Sequence, residues 1–243
     1  MNIVITMAGM GSRFQKAGYN VPKYMIPAKG RSLFYWSLIS LQNFIREDAT
    51  FIFIVRHEDG ADEFIKTECD KLKISNYEVV GLDSLTDGQA TSVLFAEPFW
   101  KPDEPLLIYN IDTHVNPAEL EFTNNNQMDG WIPCFEALGD HWSFVKVNGH
   151  GIATEVREKK RISENATIGL YWFSSPAVYK KAYADYYSIS GHEEKGEKYI
   201  APLYNQLISD GRIVTISLIP AGSVHILGTP EELNIFQTNS YSL

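Results

Sequence analysis

The chain has 243 residues, of which 44% are hydrophobic, 13% aromatic and 21% charged, a globular balance with enough apolar surface for one large domain or two small ones. Its formal net charge of −9 excludes a general nucleic-acid binder, which carries a basic surface, but not a small phosphate substrate held by a few cations in a cleft. No apolar run approaches the roughly 20 residues that span a bilayer, the N-terminus opens on a strand with no basic leader, and Cys69 and Cys134 match no metal spacing; a cytoplasmic protein with reduced thiols and no membrane partner is expected.

The first strand, expected over 2–7, carries the apolar run Ile3-Val4-Ile5 and empties into Ala8-Gly9-Met10-Gly11-Ser12-Arg13, with Pro22-Lys23 beyond. A buried strand ending in a glycine-rich loop presents backbone N–H groups to phosphate, and here two cations accompany it. A turn serving backbone geometry alone gives the same pattern. A dinucleotide fingerprint would need a third glycine where Phe14 stands and an acid at the end of the next strand, where Arg56 stands; Arg56 would suit a 2′-phosphate, so NADP stays open. No Gly-Lys-Ser/Thr follows, so this is not a P-loop.

Further on, apolar spacing predicts a helix over 31–46, a strand over 51–55, a helix over about 60–72, a strand over 77–81, a helix over about 89–96 and a strand over 106–109 ending at Asn110-Ile111-Asp112. This alternation predicts a doubly wound, mostly parallel, Rossmann-like α/β sheet with helices on both faces and ligands at the carboxyl ends of its strands. The second half reads as strands over 130–137, 143–147, 152–157 and 167–174, helices over 176–187 and 199–210, a strand over 213–219 and a short helix over 230–236. With no linker or repeat, a single domain is expected, with a nucleotide half to about residue 125 and an acceptor half from about 126.

Four further constellations carry chemistry. Asp112, at a strand end, is a natural Mg²⁺ ligand or a turn cap. Gly88-Gln89 offers close approach plus donor and acceptor groups for a nucleobase, or an ordinary helix start near Asp87. In the charge run Glu155 to Arg161, strand alternation would turn Lys159 inward to a phosphate and Lys160 outward, although such a run is usually a solvated face. Asn165, Gly169 and Tyr171 place polar groups and a glycine in an apolar strand, which marks ligand approach or a bulge; Glu197 accepts hydrogen bonds from hydroxyls or favours a helix start.

In this order the motifs resemble those of the sugar-phosphate nucleotidyltransferases, the nucleoside-diphosphate-sugar pyrophosphorylases. The matching stretches are Gly9-Met10-Gly11-Ser12-Arg13, Pro22-Lys23, Asp112, Glu158-Lys159, Gly169-Leu170-Tyr171 and Gly228-Thr229-Pro230-Glu231. The chain looks like the short members of capsule and surface-polysaccharide pathways. The resemblance implies transfer of a nucleotidyl group from a nucleoside triphosphate to a sugar phosphate, with release of pyrophosphate and with Mg²⁺ as cofactor. It implies Arg13 on the β- and γ-phosphates, Lys23 on the α-phosphate, Asp112 on the metal, and Ala8, Gly9, Gly11, Ser12, Gly88, Gln89 and Asn110 around the nucleotide. It implies Lys159 on the acceptor phosphate and Glu158, Asn165, Gly169, Tyr171 and Glu197 around the acceptor. Many relatives carry a second metal-binding Asp two residues before the closing Gly-Thr, where this chain has Ile226; His225 beside it faces the other way on a strand. The metal is therefore expected to rest on Asp112, phosphates and water. A cytidylyltransferase for a non-sugar phosphate, a non-catalytic nucleotide sensor and an NADP oxidoreductase remain alternatives, and homo-oligomerisation is left open.

Overall fold

A computed structural model describes residues 1–122 and 127–239. The expected boundary between the two halves, at about 125/126, lies outside them.

The first half contains β1 (Asn2–Thr6), α1 (Ser12–Lys16), β2 (Pro27–Ala28), β3 (Arg31–Ser32), α2 (Leu33–Ile39), β4 (Thr50–Arg56), α3 (Asp62–Leu72), β5 (Tyr77–Leu82), α4 (Gln89–Leu94), β6 (Leu106–Asn110) and β7 (Thr113–Val115). The second contains β8 (Gly130–Glu136), β9 (Ser143–Val147), β10 (Ala153–Glu158), β11 (Asn165–Thr167), β12 (Leu170–Phe173), α5 (Pro176–Tyr187), α6 (Tyr204–Ser209), β13 (Val214–Ile219), β14 (Val224–Ile226) and α7 (Pro230–Thr238).

A mixed, mostly parallel sheet in the order β10-β9-β11-β8-β12-β6-β1-β4-β5, with β13 added on β8, forms the centre. The expected α/β class is observed. Strands β5, β4, β1 and β6 run parallel, and β12 joins β6 antiparallel. The chain leaves β1 for β4 and β5 on one side, then returns to β6 on the other. That reversal opens a crevice at the carboxyl ends of β1 and β6, where ligands bind in open sheets of this kind. Register places Thr6 beside Asn110, so the glycine loop and Asp112 emerge side by side.

Each sheet face buries a separate apolar layer. One includes Phe34, Phe53 and Ile65, carried by α2, β4 and α3; the other includes Val93, Tyr179 and Tyr204, carried by α4, α5 and α6. A third cluster joins Phe14, Trp36, Leu227 and Phe236, and ties α1 and α7 to α2. Each such side chain contributes about 1.5–3 kcal/mol of burial.

Three of the expected elements are built differently, for identifiable reasons. The helix expected over 31–46 stops at Ile39 and is followed by a 3-10 turn at Gln42–Phe44. Ser40 ends it, because its hydroxyl accepts the Val115 amide at 2.8 Å and so ties the chain to β7. The strand expected over 167–174 is broken into β11 and β12 by Gly169, whose φ of +80° L side chains rarely adopt. The helix expected over 199–210 begins as a 3-10 turn at Ala201–Leu203, where Pro202 supplies no amide.

Candidate functional site

A cleft of about 490 Å³ opens at the junction of β1 and β6. Ala8, Gly9, Gly11 and Ser12 line one wall, Gly88 and Gln89 another, and Asn110, Asp112, Lys23 and Glu197 complete it. Sequence reasoning singled out all of these.

The glycine loop is built to leave its amides open. Gly11 caps α1 at φ +61°, a left-handed conformation that turns the chain sharply into the helix. Its carbonyl takes the amides of Phe14 and Gln15, while the amides of Gly9 through Ser12 find no backbone acceptor among the described residues. Lys23 follows through Pro22, and its Nζ lies 2.8 Å from Asp112 Oδ2 across 89 residues of sequence. Both side chains remain partly exposed, so the pair is accessible from the cleft. Arg13 is exposed on α1 and does not line the cleft, because the short helix carries it past the rim.

The Gln89 amide donates to Thr6 Oγ1 at 2.7 Å and also to Asn110 Oδ1. Both of its N–H groups are thereby committed to the strand ends, and its carbonyl is the group left for a ligand. Gly88 has φ 142° and ψ 172°, and a Cβ there would meet the Lys198 backbone N and O at 2.4 Å. The Lys198 segment docks on this glycine through Lys198 N–H to Asp87 O at 2.8 Å and Ala90 N–H to Lys198 O at 3.0 Å. That docking brings Glu197 to the cleft edge. The Lys198–Asp87 ion pair, 2.7 Å long, raises the Lys198 pKa through the Asp87 hydrogen bond.

On the acceptor side, the structure groups Glu158, Lys159 and Glu197 through a residue not assigned a role from sequence, Tyr199. Lys159 Nζ donates to the Tyr199 hydroxyl and lies 4.2 Å from its ring centroid, and that hydroxyl donates to Glu197. Burial raises the Glu158 pKa, against the opposing hydrogen bond from Ser143 and the charge of Lys159. The expected inward–outward alternation stops short of the lysines: β10 ends at Glu158, and Lys159 turns left-handed at φ +50°.

Two acceptor expectations are placed differently. Asn165 Nδ2 is spent on the Val145 carbonyl at 3.0 Å, binding β11 to β9 rather than facing the cleft. Tyr171 lies in the core with its hydroxyl 3.1 Å from Thr167 Oγ1; burial first, and then the Glu158 charge, raise its pKa. Gly169 acts by absence, since a Cβ there would stand 2.6 Å from Asn110 Nδ2. Thr6, Thr86 and Ser92 also line the cleft; Thr6 ends an apolar strand, and a hydroxyl there was the available signal.

Beyond Asp112, β14 pairs with β7 so that Ile226 lies opposite Thr113 and His225 opposite His114. The two imidazoles stack 5.6 Å apart, and burial lowers each pKa to about 4. His225 therefore belongs to this packing, not to the carboxylate side. No group of three or more His, Cys, Asp or Glu suited to a metal occurs among the described residues. Arg56 is held by Glu58 and Asp59, at 2.6 Å from the latter, and offers no ready fork for a 2′-phosphate.

No protein-family model matches the chain, and no curated protein matches it significantly. Among solved structures, a nucleoside-diphosphate-sugar pyrophosphorylase from Vibrio cholerae RC9 is 36% identical, over 98% of this chain and 100% of its own, with a TM-score of 0.90. The inositol-1-phosphate CTP transferase from T. maritima is 17% identical, over 99% and 98%, with a TM-score of 0.76. A Bacillus anthracis protein described as a glucose-1-phosphate thymidylyltransferase is 16% identical, over 100% and 98%, with a TM-score of 0.78. The latter two share the fold; the Vibrio protein shares the fold and more than a third of its residues. The chain belongs to the nucleoside-diphosphate-sugar pyrophosphorylases, a family of nucleotidyltransferase enzymes.

Proposed function

We propose that the β1–β6 cleft transfers a nucleotidyl group from a nucleoside triphosphate to a sugar phosphate, for surface-polysaccharide synthesis in the cytoplasm. The observation that carries this reading is the Lys23–Asp112 pair, 2.8 Å apart in the cleft beside the open amides of the glycine loop. A cation, a carboxylate and free N–H groups converging at one point suit a polyphosphate and its counter-ion. The two cysteines are free and buried, in keeping with a reducing compartment, and no helix among the described residues is long and apolar enough to cross a membrane.

In the reaction, an acceptor phosphate oxygen forms a bond to the α-phosphorus as the bond to the bridging β-phosphate oxygen breaks, and pyrophosphate leaves. The protein's part is positioning and charge neutralisation. The loop amides of Gly9, Gly11 and Ser12, with Ala8, hold the triphosphate. Lys23 turns from Asp112 to the α-phosphate, and Arg13 reaches the departing phosphates from the rim. Gly88 and the Gln89 carbonyl read the base, with Asn110 holding Gln89. Lys159 binds the acceptor phosphate, Glu158 and Glu197 bind its hydroxyls, and Gly169 shapes that wall.

Asp112 fits Mg²⁺, which takes one or two carboxylates and fills the rest of its shell with phosphate oxygens and water. Bound there, it would neutralise charge on the triphosphate.

A thermal-shift panel of CTP, UTP, dTTP, ATP, GTP and NADP, with and without Mg²⁺, tests the reading. Stabilisation by at least one triphosphate and not by NADP is expected. Stabilisation by NADP alone would refute it.

A further inference from the structure

Lys159 lies one residue past the end of β10, on a left-handed turn at φ +50°, with its amide on the Trp142 carbonyl at 2.9 Å. A flexible four-carbon stem leaving such a turn can carry its ammonium through a wide arc, and fixing it costs rotamer entropy. Tyr199 fixes it. Lys159 Nζ donates to the Tyr199 hydroxyl and stands over the ring, 4.2 Å from its centroid. The neighbouring carboxylate is no substitute. Glu158 Oε1 is 3.7 Å from Nζ, beyond hydrogen-bond length, and its Oε2 accepts the Ser143 hydroxyl.

Tyr199 is itself held at several points. Its carbonyl accepts the Tyr187 hydroxyl at 2.6 Å, and its own hydroxyl donates to Glu197 at the cleft edge. Lys198, just before it, docks on the Gly88 loop through both its N–H and its carbonyl. Burial, and then the Glu197 hydrogen bond, raise the Tyr199 pKa, so the hydroxyl keeps its proton. Lys23 is thus held by the full charge of Asp112, but Lys159 by a ring face and a neutral hydroxyl. A phosphate outcompetes that hydroxyl while the ring still sets where the ammonium stands.

We propose that Tyr199 is the positioning residue of the acceptor half: it holds Lys159 Nζ where the acceptor phosphate docks and, clamped beside Gly88, sets that point relative to the nucleotide. This rests on the nucleotidyl-transfer reading of the cleft. Tyr199 acts through Lys159, and in-line attack depends on where the acceptor oxygen is placed.

The test is steady-state kinetics by pyrophosphate release, with triphosphate and sugar phosphate varied separately, alongside melting curves. Tyr199→Phe keeps the ring and loses the hydroxyl; it should melt like wild type and raise KM for the acceptor severalfold. Tyr199→Leu loses the ring as well and should raise that KM by roughly tenfold or more. In both variants KM for the triphosphate should stay near wild type. Lys159→Ala should cost little more in the Tyr199→Leu background, because its loss there is already taken. An unchanged acceptor KM in Tyr199→Phe and Tyr199→Leu, equal rises for both substrates, or fully additive losses in the double variant would overturn the proposal. Pyrophosphate release by wild type separates each of those results from failure of the nucleotidyl-transfer reading, in which wild type releases none.

Discussion

Lys23 Nζ sits 2.8 Å from Asp112 Oδ2, so the nucleotide-free cleft keeps its cation and its carboxylate paired with each other. A partly exposed pair of this kind is worth little to stability, which makes it easy to exchange for ligands. Lys23→Met should lower kcat by on the order of 10²–10³, the scale for one preorganised transition-state contact, with an unchanged melting temperature. It should also tighten Mn²⁺ binding to the free protein, because Asp112 loses its competitor. Turnover and a Mn²⁺ titration check the two halves separately; unchanged turnover would remove Lys23 from the phosphate site.

Gly88 is where the two sides of the cleft touch. Its φ and ψ lie in a region reserved for glycine, and a Cβ would collide with the Lys198 backbone. Gly88→Ala should cost about 1–3 kcal/mol or more in denaturant melts. Gly9→Ala, with nothing within 4 Å of its Cβ, should melt like wild type. Equal stability of the two variants would show that the Lys198 segment yields freely.

The Lys159–Tyr199–Glu197 chain predicts a split in kinetic constants. Lys159→Ala should raise KM for the acceptor and leave triphosphate binding nearly intact, whereas Lys160→Ala, exposed and outside β10, should do little. Equal effects would point to a diffuse field instead of a contact.

The buried His114 gives a pH signature. Its Nδ1 lies 2.8 Å from the Trp36 carbonyl, Ser40 Oγ is 3.4 Å away, and His225 stacks on it with Lys29 acting on His225. The folded pKa of about 4 lies below the ordinary histidine value of 6.5, so the unfolded chain binds the proton first. This contribution is therefore full above about pH 6.5 and is lost as pH falls toward 4. The melting temperature should fall over that window, and His114→Gln should flatten the slope. An unchanged slope would place the dependence on the carboxylates.

The sequence made the cleft's location legible, because an apolar strand that ends in Gly-x-Gly and another that ends in Asn110-Ile111-Asp112 must both emerge at the carboxyl edge of one sheet. It could not show that Gln89 spends both N–H groups on Thr6 and Asn110, since that depends on how α4 meets β1 and β6. The resemblance implied Asn165 and Tyr171 around the acceptor, but motif order does not show which way a side chain turns: Asn165 bonds the Val145 carbonyl of β9 and Tyr171 packs in the core. Glu232 falls within the helix expected over 230–236. Its approach to Gly228 appears only when α7 folds back along α1 and α2.

The most direct measurement is pyrophosphate release from a panel of nucleoside triphosphates paired with sugar 1-phosphates, the product identified by mass spectrometry, in wild type and Asp112→Asn. The account predicts one strongly favoured pair, a nucleoside-diphosphate-sugar product, and loss of turnover in Asp112→Asn with the fold intact. Absence of that product from wild type with every pair, or full turnover in Asp112→Asn, would contradict it.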